Sequence, residues 1–145
     1  MKKTRSNCPL TSALDIIGDK WSLVIIRDLF LGKKTFTEFI KSKEKIATNI
    51  LSNRLELLAQ HKIISVTKLP NDQKTKIYYL TDSGIDLYPI IYEMMHWSRR
   101  NLKKEFGPVG KQIFLDSMDK SSKAFIMETT QGYKSIRQDI LNQLN

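Results

Sequence analysis

The sequence has very little cysteine and histidine. Cys8 is the only cysteine in 145 residues, and the two histidines are His61 and His96. One thiol cannot build a disulfide framework or a multi-cysteine zinc site, and the histidines have no partner at metal-ligand spacing. Gly-rich phosphate loops, HExxH and GxSxG motifs are also missing. We therefore expect a protein that is not an enzyme and that uses no metal or cofactor.

Long apolar runs are missing as well. The longest, Leu23–Ile26, is ended by Arg27 and Asp28, far short of the roughly 20 residues that a membrane-spanning helix needs. The first residues are basic, as in a signal peptide, but Asp15 interrupts the apolar stretch that would have to follow. These features predict a cytoplasmic protein with no membrane partner.

Acidic residues are too few to balance the basic ones, and the net charge is +9. The excess is uneven: residues 33–76 hold ten basic and four acidic residues, whereas residues 107–145 hold five and four. A basic middle section indicates a polyanionic partner such as nucleic acid. Basic residues also serve solubility, so charge by itself leaves both interpretations open.

The N-terminal part predicts two helices. Pro9 suits a first helical position, apolar residues follow at helical spacing, and Gly18 ends the pattern. Asp19 then caps a second segment, 20–31, which is apolar nearly all round. Its β-branched residues would also allow a buried strand, but its length and flanking caps favour a central helix.

The next segment predicts a helix-turn-helix. Thr35 and Glu38 have the spacing of a capping box, which opens a short helix. A polar break at 41–45 leads into a longer helix over 46–60. Helix, tight turn and helix is the arrangement in which the second helix lies in the DNA major groove.

A hairpin and further helices follow. β-branched residues at 63–69 and a strand at 76–80 flank the turn 70–74, which together indicate a hairpin. Thr81-Asp82 caps a helix that Pro89 should kink or restart, and Gly107-Pro108 should end it. One or two helices then complete the chain. We predict a mainly α fold with a small β-hairpin (α+β), arranged as a winged helix-turn-helix.

The helix over 46–60 has two distinct faces at 100° per residue. One arc is apolar and contains Ala47, Leu51, Leu55 and Leu58. The opposite arc carries short polar side chains, which suit contacts to base edges because Asn pairs bidentately with adenine and Ser or Thr reaches bases and phosphates. The alternative is an ordinary solvent-exposed helix face that binds no ligand.

Arg54 falls in the apolar arc of the same helix. It either pairs with a carboxylate such as Glu38 or Asp28 and orients the helix, or it reaches a phosphate. Together with lysines before the helix and on the hairpin, a set of DNA-binding residues is predicted. They are Lys45, Thr48, Asn49, Ser52, Asn53, Arg54, Lys74 and Lys76.

Several spaced motifs resemble HxlR-type transcriptional regulators of the MarR-like superfamily. They are Cys8-Pro9 with Gly18–Trp21, the segment 46–58, and Tyr79–Gly84 followed by Pro89. The resemblance covers about residues 8–100. It implies a MarR-like winged helix with N- and C-terminal dimerisation helices, a homodimer, and a roughly palindromic DNA operator. Asp19 departs from it, since glycine is more usual there, and the tail after Phe106 is not covered.

The chain divides on this basis into a DNA-binding domain over 1–106 and a helical extension over 107–145 that is a candidate dimerisation element. Aromatic and sulfur-containing side chains would line the dimer surface or a small-molecule pocket, although core packing is the more common role for each of them. These residues are Trp21, Tyr88, Tyr92, Met95 and Trp97.

Cys8 is a candidate redox or electrophile sensor. At the N-cap of the first helix, the helix dipole and the nearby Lys2, Lys3 and Arg5 would favour the reactive thiolate, and the resemblance implies such a role. The alternative is an inert thiol packed beneath the helix.

The sequence as a whole predicts a homodimeric repressor that binds double-stranded DNA. The alternatives are a winged-helix adaptor that binds protein, a ligand-responsive regulator without cysteine sensing, and an enzyme with a shallow site near Tyr88, Tyr92 and Trp97.

Overall fold

The computed structural model describes residues 5–144, which form eight helices and one two-stranded antiparallel sheet. The elements in chain order are α1 Pro9–Ile17, α2 Ser22–Phe30, α3 Phe36–Ile40, α4 Thr48–Gln60, β1 Ile64–Leu69, β2 Asp72–Leu80, α5 Asp82–Ile85, α6 Tyr88–Asn101, α7 Pro108–Ser117 and α8 Ser122–Asn142. This is the predicted winged helix-turn-helix, in which α3 and α4 form the helix-turn-helix and the hairpin β1–β2 is the wing. Within the described part of the chain, no helix is long and apolar enough to cross a membrane.

The helix α2 is central, as predicted, and the strand alternative is wrong. Ile26 and Leu29 are completely buried. The helix begins at Ser22, two residues later than expected, because Asp19 Oδ2 accepts hydrogen bonds from the backbone N–H groups of both Trp21 (2.9 Å) and Ser22 (3.0 Å). A cap that satisfies these first-turn donors defines where the helix starts.

The helix-turn-helix is stabilised by interactions between residues that are close together in the sequence. The capping box of α3 is complete: Glu38 N–H donates to Thr35 Oγ1, and the Glu38 carboxylate accepts from Thr35 N–H, both at 3.2 Å. The helix α4 starts at Thr48, two residues after the predicted boundary. Lys45 precedes it in the left-handed region with φ 57°, which turns the chain sharply between the helices.

The wing is longer than predicted on its second strand. The register pairs Ile64 with Leu80 and Leu69 with Asp72, so the turn is narrower than the expected 70–74 and Lys74 lies in β2. Asp72 Oδ1 accepts hydrogen bonds from the N–H groups two and three residues later. The Asp72 side chain therefore stabilises the turn from the first residue of β2, and the strand begins there instead of after residue 74.

Beyond the wing, Pro89 restarts the helix, as predicted. The short α5 is capped by Thr81, whose Oγ1 accepts from Gly84 N–H at 3.2 Å. Gly84 packs against the backbone just before β1, so closely that a Cβ atom at this position would overlap the carbonyl oxygen of Ile63. The prediction that Gly107-Pro108 ends α6 is wrong, because α6 already ends at Asn101. Pro108 instead begins α7. Proline suits this position because the first residue of a helix has no helical hydrogen bond to donate.

The C-terminal helix α8 packs into the same core as the winged helix. Phe125 and Tyr133 are buried members of that core. The ring of Tyr133 lies 5.3 Å from that of Phe30 on α2, and the ring of Phe125 lies 5.6 Å from that of Tyr92 on α6. The buried side chains of this helix, which also include Ile140, therefore face the core along most of its length.

Candidate nucleic-acid interface

The outward face of α4 is polar and accessible. Leu51, Leu55 and Leu58 are buried, as the helical pattern predicted. The opposite side presents exposed side chains, and these are Thr48, Asn49, Ser52, Asn53 and Glu56. Within residues 5–144, the side chains of the first three make no hydrogen bond to another residue. Their donors and acceptors are free to meet the edges of bases.

The three lysines predicted to contact DNA are all exposed. Lys45 lies three residues before the first residue of α4, where the helix dipole also favours an anion. Lys74 and Lys76 are exposed on β2. Being two residues apart on a strand, they point to the same side of the wing. All three charges are therefore accessible to a ligand.

A buried polar network holds the turn between α3 and α4. Asp28 on α2 is 2% exposed and accepts hydrogen bonds from Ser42 Oγ and from Arg27 Nη2, the latter at 2.8 Å. Lys33 Nζ donates to Ser42 Oγ at 2.9 Å and lies 3.4 Å from Asp28 Oδ2. Each buried polar group thus has partners, as burial requires.

Arg27 extends this network to the residue just before Lys45. Its guanidinium binds the Glu44 carboxylate through two parallel hydrogen bonds of 2.8 and 2.9 Å. These bonds lower the pKa of Glu44 to about 2, against the partial burial that would raise it. A bidentate pair has a defined geometry, so α2 positions the start of α4. Sequence reasoning missed this pair, since the partners lie 17 residues apart.

Arg54 is half-buried and paired with a carboxylate, but the predicted partners were wrong. Glu38 is engaged in the capping box, and Asp28 belongs to the turn network. The partner is Asp19, whose Oδ1 lies 3.2 Å from Arg54 Nη1. Partial burial raises the pKa of Asp19, but hydrogen bonds from the first turn of α2 and the charge of Arg54 outweigh it and hold this pKa below its ordinary value.

Cys8 lies at the N-cap of α1 with its side chain exposed, so it is not packed beneath the helix. Its pKa is lowered because the backbone N–H groups of Thr11 and Leu10, in the first turn of α1, donate toward the sulfur. Exposure and a lowered pKa are the two properties that make a thiol reactive.

Of the basic residues expected to assist Cys8, Arg5 alone lies within the described residues. Lys2 and Lys3 lie outside the described residues. Arg5 donates from Nε to Asp15 Oδ1 at 2.7 Å, so its charge is engaged by a carboxylate. The helix terminus is therefore the described cause of the lowered pKa of Cys8.

The predicted pocket residues do not share one surface. Tyr88 and Tyr92 are buried in the core, and Met95 and Trp21 pack partly against it. Trp97, by contrast, has 53% of its surface exposed. Helix periodicity separates them, since positions 88, 92 and 95 face the core while 97 points away.

The exposed apolar side of α6 contains Trp97 from the predicted set but not Tyr88, Tyr92 or Met95. It carries Ile90, Met94 and Trp97, which are 41%, 54% and 53% exposed. These side chains line an open groove of about 750 Å³ whose rim is charged at Glu93 and Arg100. An exposed apolar patch with a polar rim is typical of an interaction surface.

Comparisons with known proteins agree with this geometry. Residues 16–106 match the family described as HxlR-like helix-turn-helix. Among curated relatives, the regulator YodB of Bacillus subtilis is 34% identical over 92 residues, 63% of this chain and 82% of its own. The uncharacterized regulator Rv3095 of Mycobacterium tuberculosis is 30% identical over 96 residues, 66% of this chain. The match spans only 60% of the length of that relative.

Solved structures show the same fold. Reduced YodB from B. subtilis has a TM-score of 0.57 at 30% identity, covering 70% of this chain and all of its own. The redox regulator HypR in its oxidized form has a TM-score of 0.59 at 31% identity, covering 67% of this chain and all of its own. YodB has also been solved after diamide treatment. The family match, the winged helix and the exposed face of α4 together establish that this chain belongs to the HxlR-like helix-turn-helix family.

Proposed function

We propose that this protein is a transcriptional regulator that binds double-stranded DNA with α4 in the major groove and the wing on the backbone. The observation that carries the proposal is the outward face of α4, whose short polar side chains are exposed. The turn before this helix is tied to α2 by the Arg27–Glu44 pair. A rigid support is what a sequence-reading helix needs, because base contacts depend on its register in the groove.

We divide the inferred DNA contacts into two types. We infer that the exposed side chains of Thr48, Asn49, Ser52 and Asn53 reach base edges, which carry sequence information. Lys45, Lys74 and Lys76 are exposed cations that suit phosphates, which set affinity and register without reading sequence. Arg54, also in the predicted set, contacts Asp19 and Asn53, and we assign it the role of positioning these neighbours.

A homodimer would multiply the few contacts of one winged helix over two half-sites of a pseudo-palindromic operator. Apolar side chains available for such pairing are Leu10 and Leu14 on α1 and Met94 and Trp97 on α6, all at least 44% exposed. Repression follows where the operator overlaps a promoter, because bound protein and polymerase would then compete for the same DNA.

Cys8 is the proposed switch. It is exposed, its pKa is lowered at a helix N-terminus, and similar proteins include one described as a redox regulator. Oxidation or an electrophilic adduct would change the end of α1, next to the apolar side chains Leu10 and Leu14. The extension 107–144 is proposed to support the winged helix, since α8 shares its core.

The test is fluorescence anisotropy with duplex DNA from upstream of the protein's own gene and a scrambled duplex of equal length, at physiological salt. We expect a preference of about a thousandfold or more for the native duplex. Diamide should release the wild-type protein and leave Cys8→Ser bound. Release of both would indicate an effector site that does not involve the cysteine.

Equal and weak binding to both duplexes, lost together as salt rises, would contradict sequence-specific recognition. A winged-helix adaptor would then be the better description. Sedimentation of the wild type beside Met94→Glu provides the dimer test, because a charge on the apolar face of α6 should yield monomers.

A further inference from the structure

The carboxamide of Asn53 on α4 is held in one orientation by its neighbour. Arg54 donates to Asn53 Oδ1 through both Nε, at 3.2 Å, and Nη2, at 2.8 Å. A guanidinium has five donors and no acceptor, so the amide must turn its oxygen toward it. Two donors converge on this one carbonyl oxygen, which reduces its capacity to accept a further hydrogen bond from a base.

Arg54 is itself held from the other side. Its Nη1 lies 3.2 Å from Asp19 Oδ1, and only 21% of its side chain is exposed. Asp19 in turn accepts hydrogen bonds from the N–H groups of Trp21, the N-cap residue of α2, and of Ser22, the first residue of this helix. A chain of contacts therefore runs from the cap of α2 to the outward face of α4, and it fixes which end of the Asn53 amide faces the ligand.

This orientation changes what Asn53 can read. An unconstrained Asn pairs with adenine by accepting from N6 and donating to N7, and that pairing needs a free amide oxygen. Here the oxygen is occupied, and the Nδ2 hydrogens are the groups left for DNA. Guanine presents two acceptors, N7 and O6, on its major-groove edge, whereas adenine presents a donor that would find no acceptor.

We propose that Asn53 reads guanine and not adenine in the operator half-site, with Arg54 and Asp19 as the positioning residues that set this preference. The inference rests on the proposed DNA binding by α4, and it assigns a base to one position of the site.

The test selects binding sites from a randomised duplex library with the wild type, Asn53→Ala and Arg54→Met. Asn53→Ala should lose preference at one base pair of each half-site, which identifies the position that Asn53 reads. The wild type should carry guanine there. Arg54→Met frees the amide oxygen and should shift the preferred base toward adenine, changing the guanine-to-adenine affinity ratio by about tenfold.

Arg99→Met serves as the matched control, because it removes an exposed arginine on α6 and should leave the selected base unchanged. Thermal melts by circular dichroism establish that each variant is folded. A wild type that selects adenine at the Asn53 position, or an Arg54→Met variant that keeps guanine, would overturn the inference alone. A wild type that selects no sequence would overturn the proposed function and this inference with it.

Discussion

The helices α4 and α8 are both amphipathic, yet they use their polar side chains in opposite ways. On α4, the polar face is exposed and most of its side chains have no partner within residues 5–144. On α8, Tyr133 Oη accepts from Leu80 N–H at 2.8 Å, and Arg137 donates from Nη1 to Leu80 O at 3.1 Å. Arg137 Nη2 also donates to Asp82 Oδ1 at 2.8 Å.

The difference separates a face that we propose binds DNA from a structural one. Leu80 is the last residue of β2, where the strand leaves the sheet, and its buried backbone groups need partners. Side chains of α8 are these partners, so the C-terminal helix satisfies the hydrogen-bonding groups at the end of β2. The free polar groups of α4, by contrast, leave hydrogen-bonding capacity for another molecule. Four predictions sharpen this contrast.

The largest expected effect is on α8. Tyr133→Ala should lower the free energy of unfolding by about 3–5 kcal/mol, since it removes a buried ring from the core. Tyr133→Phe, which keeps the ring but leaves Leu80 N–H without its partner, should lose about 1–3 kcal/mol. Urea denaturation measures both. An alanine variant as stable as the wild type would contradict the structural role of α8.

On α4, Asn49→Ala should weaken operator binding by about tenfold, the effect of losing one good base contact. Its stability should stay within about 0.5 kcal/mol of the wild type, because the side chain is exposed. Anisotropy titration and urea denaturation measure the two effects. Gln60→Ala, at the far end of the same helix, is the control and should change neither quantity.

A smaller effect on stability is expected from the Arg27–Glu44 pair, which lies before α4. The folded-state pKa of Glu44 is about 2, below its ordinary 4.5. Its stabilising contribution is therefore present above pH 4.5 and is lost as the pH falls toward 2. Because Glu44 is 40% exposed on its side chain, we expect no more than about 1 kcal/mol.

Unfolding by urea between pH 6 and pH 2.5 tests this expectation. Glu44→Gln should show a shallower loss of stability with falling pH than the wild type. Parallel curves for the two proteins would mean that the Arg27–Glu44 pair does not stabilise the fold.

The smallest effect is expected from a single lysine of the wing. Lys76→Ala should lower the slope of log affinity against log salt by about 0.9, the value for one phosphate contact on duplex DNA. Lys123→Ala, an exposed lysine on α8, should leave the slope unchanged. Equal slopes for the wild type, Lys76→Ala and Lys123→Ala would show that Lys76 does not contact the DNA.

Much of the fold was predictable because its signals are local. The capping box of Thr35 and Glu38, the buried stripe of α4 and the restart at Pro89 each depend on residues within a few positions of one another. Where local signals compete, the prediction was wrong: Gly107-Pro108 resembles a helix end, but Pro108 begins α7.

The candidate site was predictable only in its outward residues. Periodicity identified the exposed face of α4, since one turn of a helix relates its neighbours. The partners behind that face came from farther away: Arg54 pairs with Asp19 instead of Glu38 or Asp28. The sequence pattern contains no information about which of several nearby carboxylates the fold brings within reach.

The sequence by itself determined the order of the elements, their caps, the apolar faces and the basic middle section, because these properties follow from side-chain chemistry at short range. Only the tertiary structure decided that Arg27 holds Glu44, that Arg54 orients Asn53, and that α8 closes the end of β2. Such contacts form when packing brings distant segments together, and their geometry depends on the whole core.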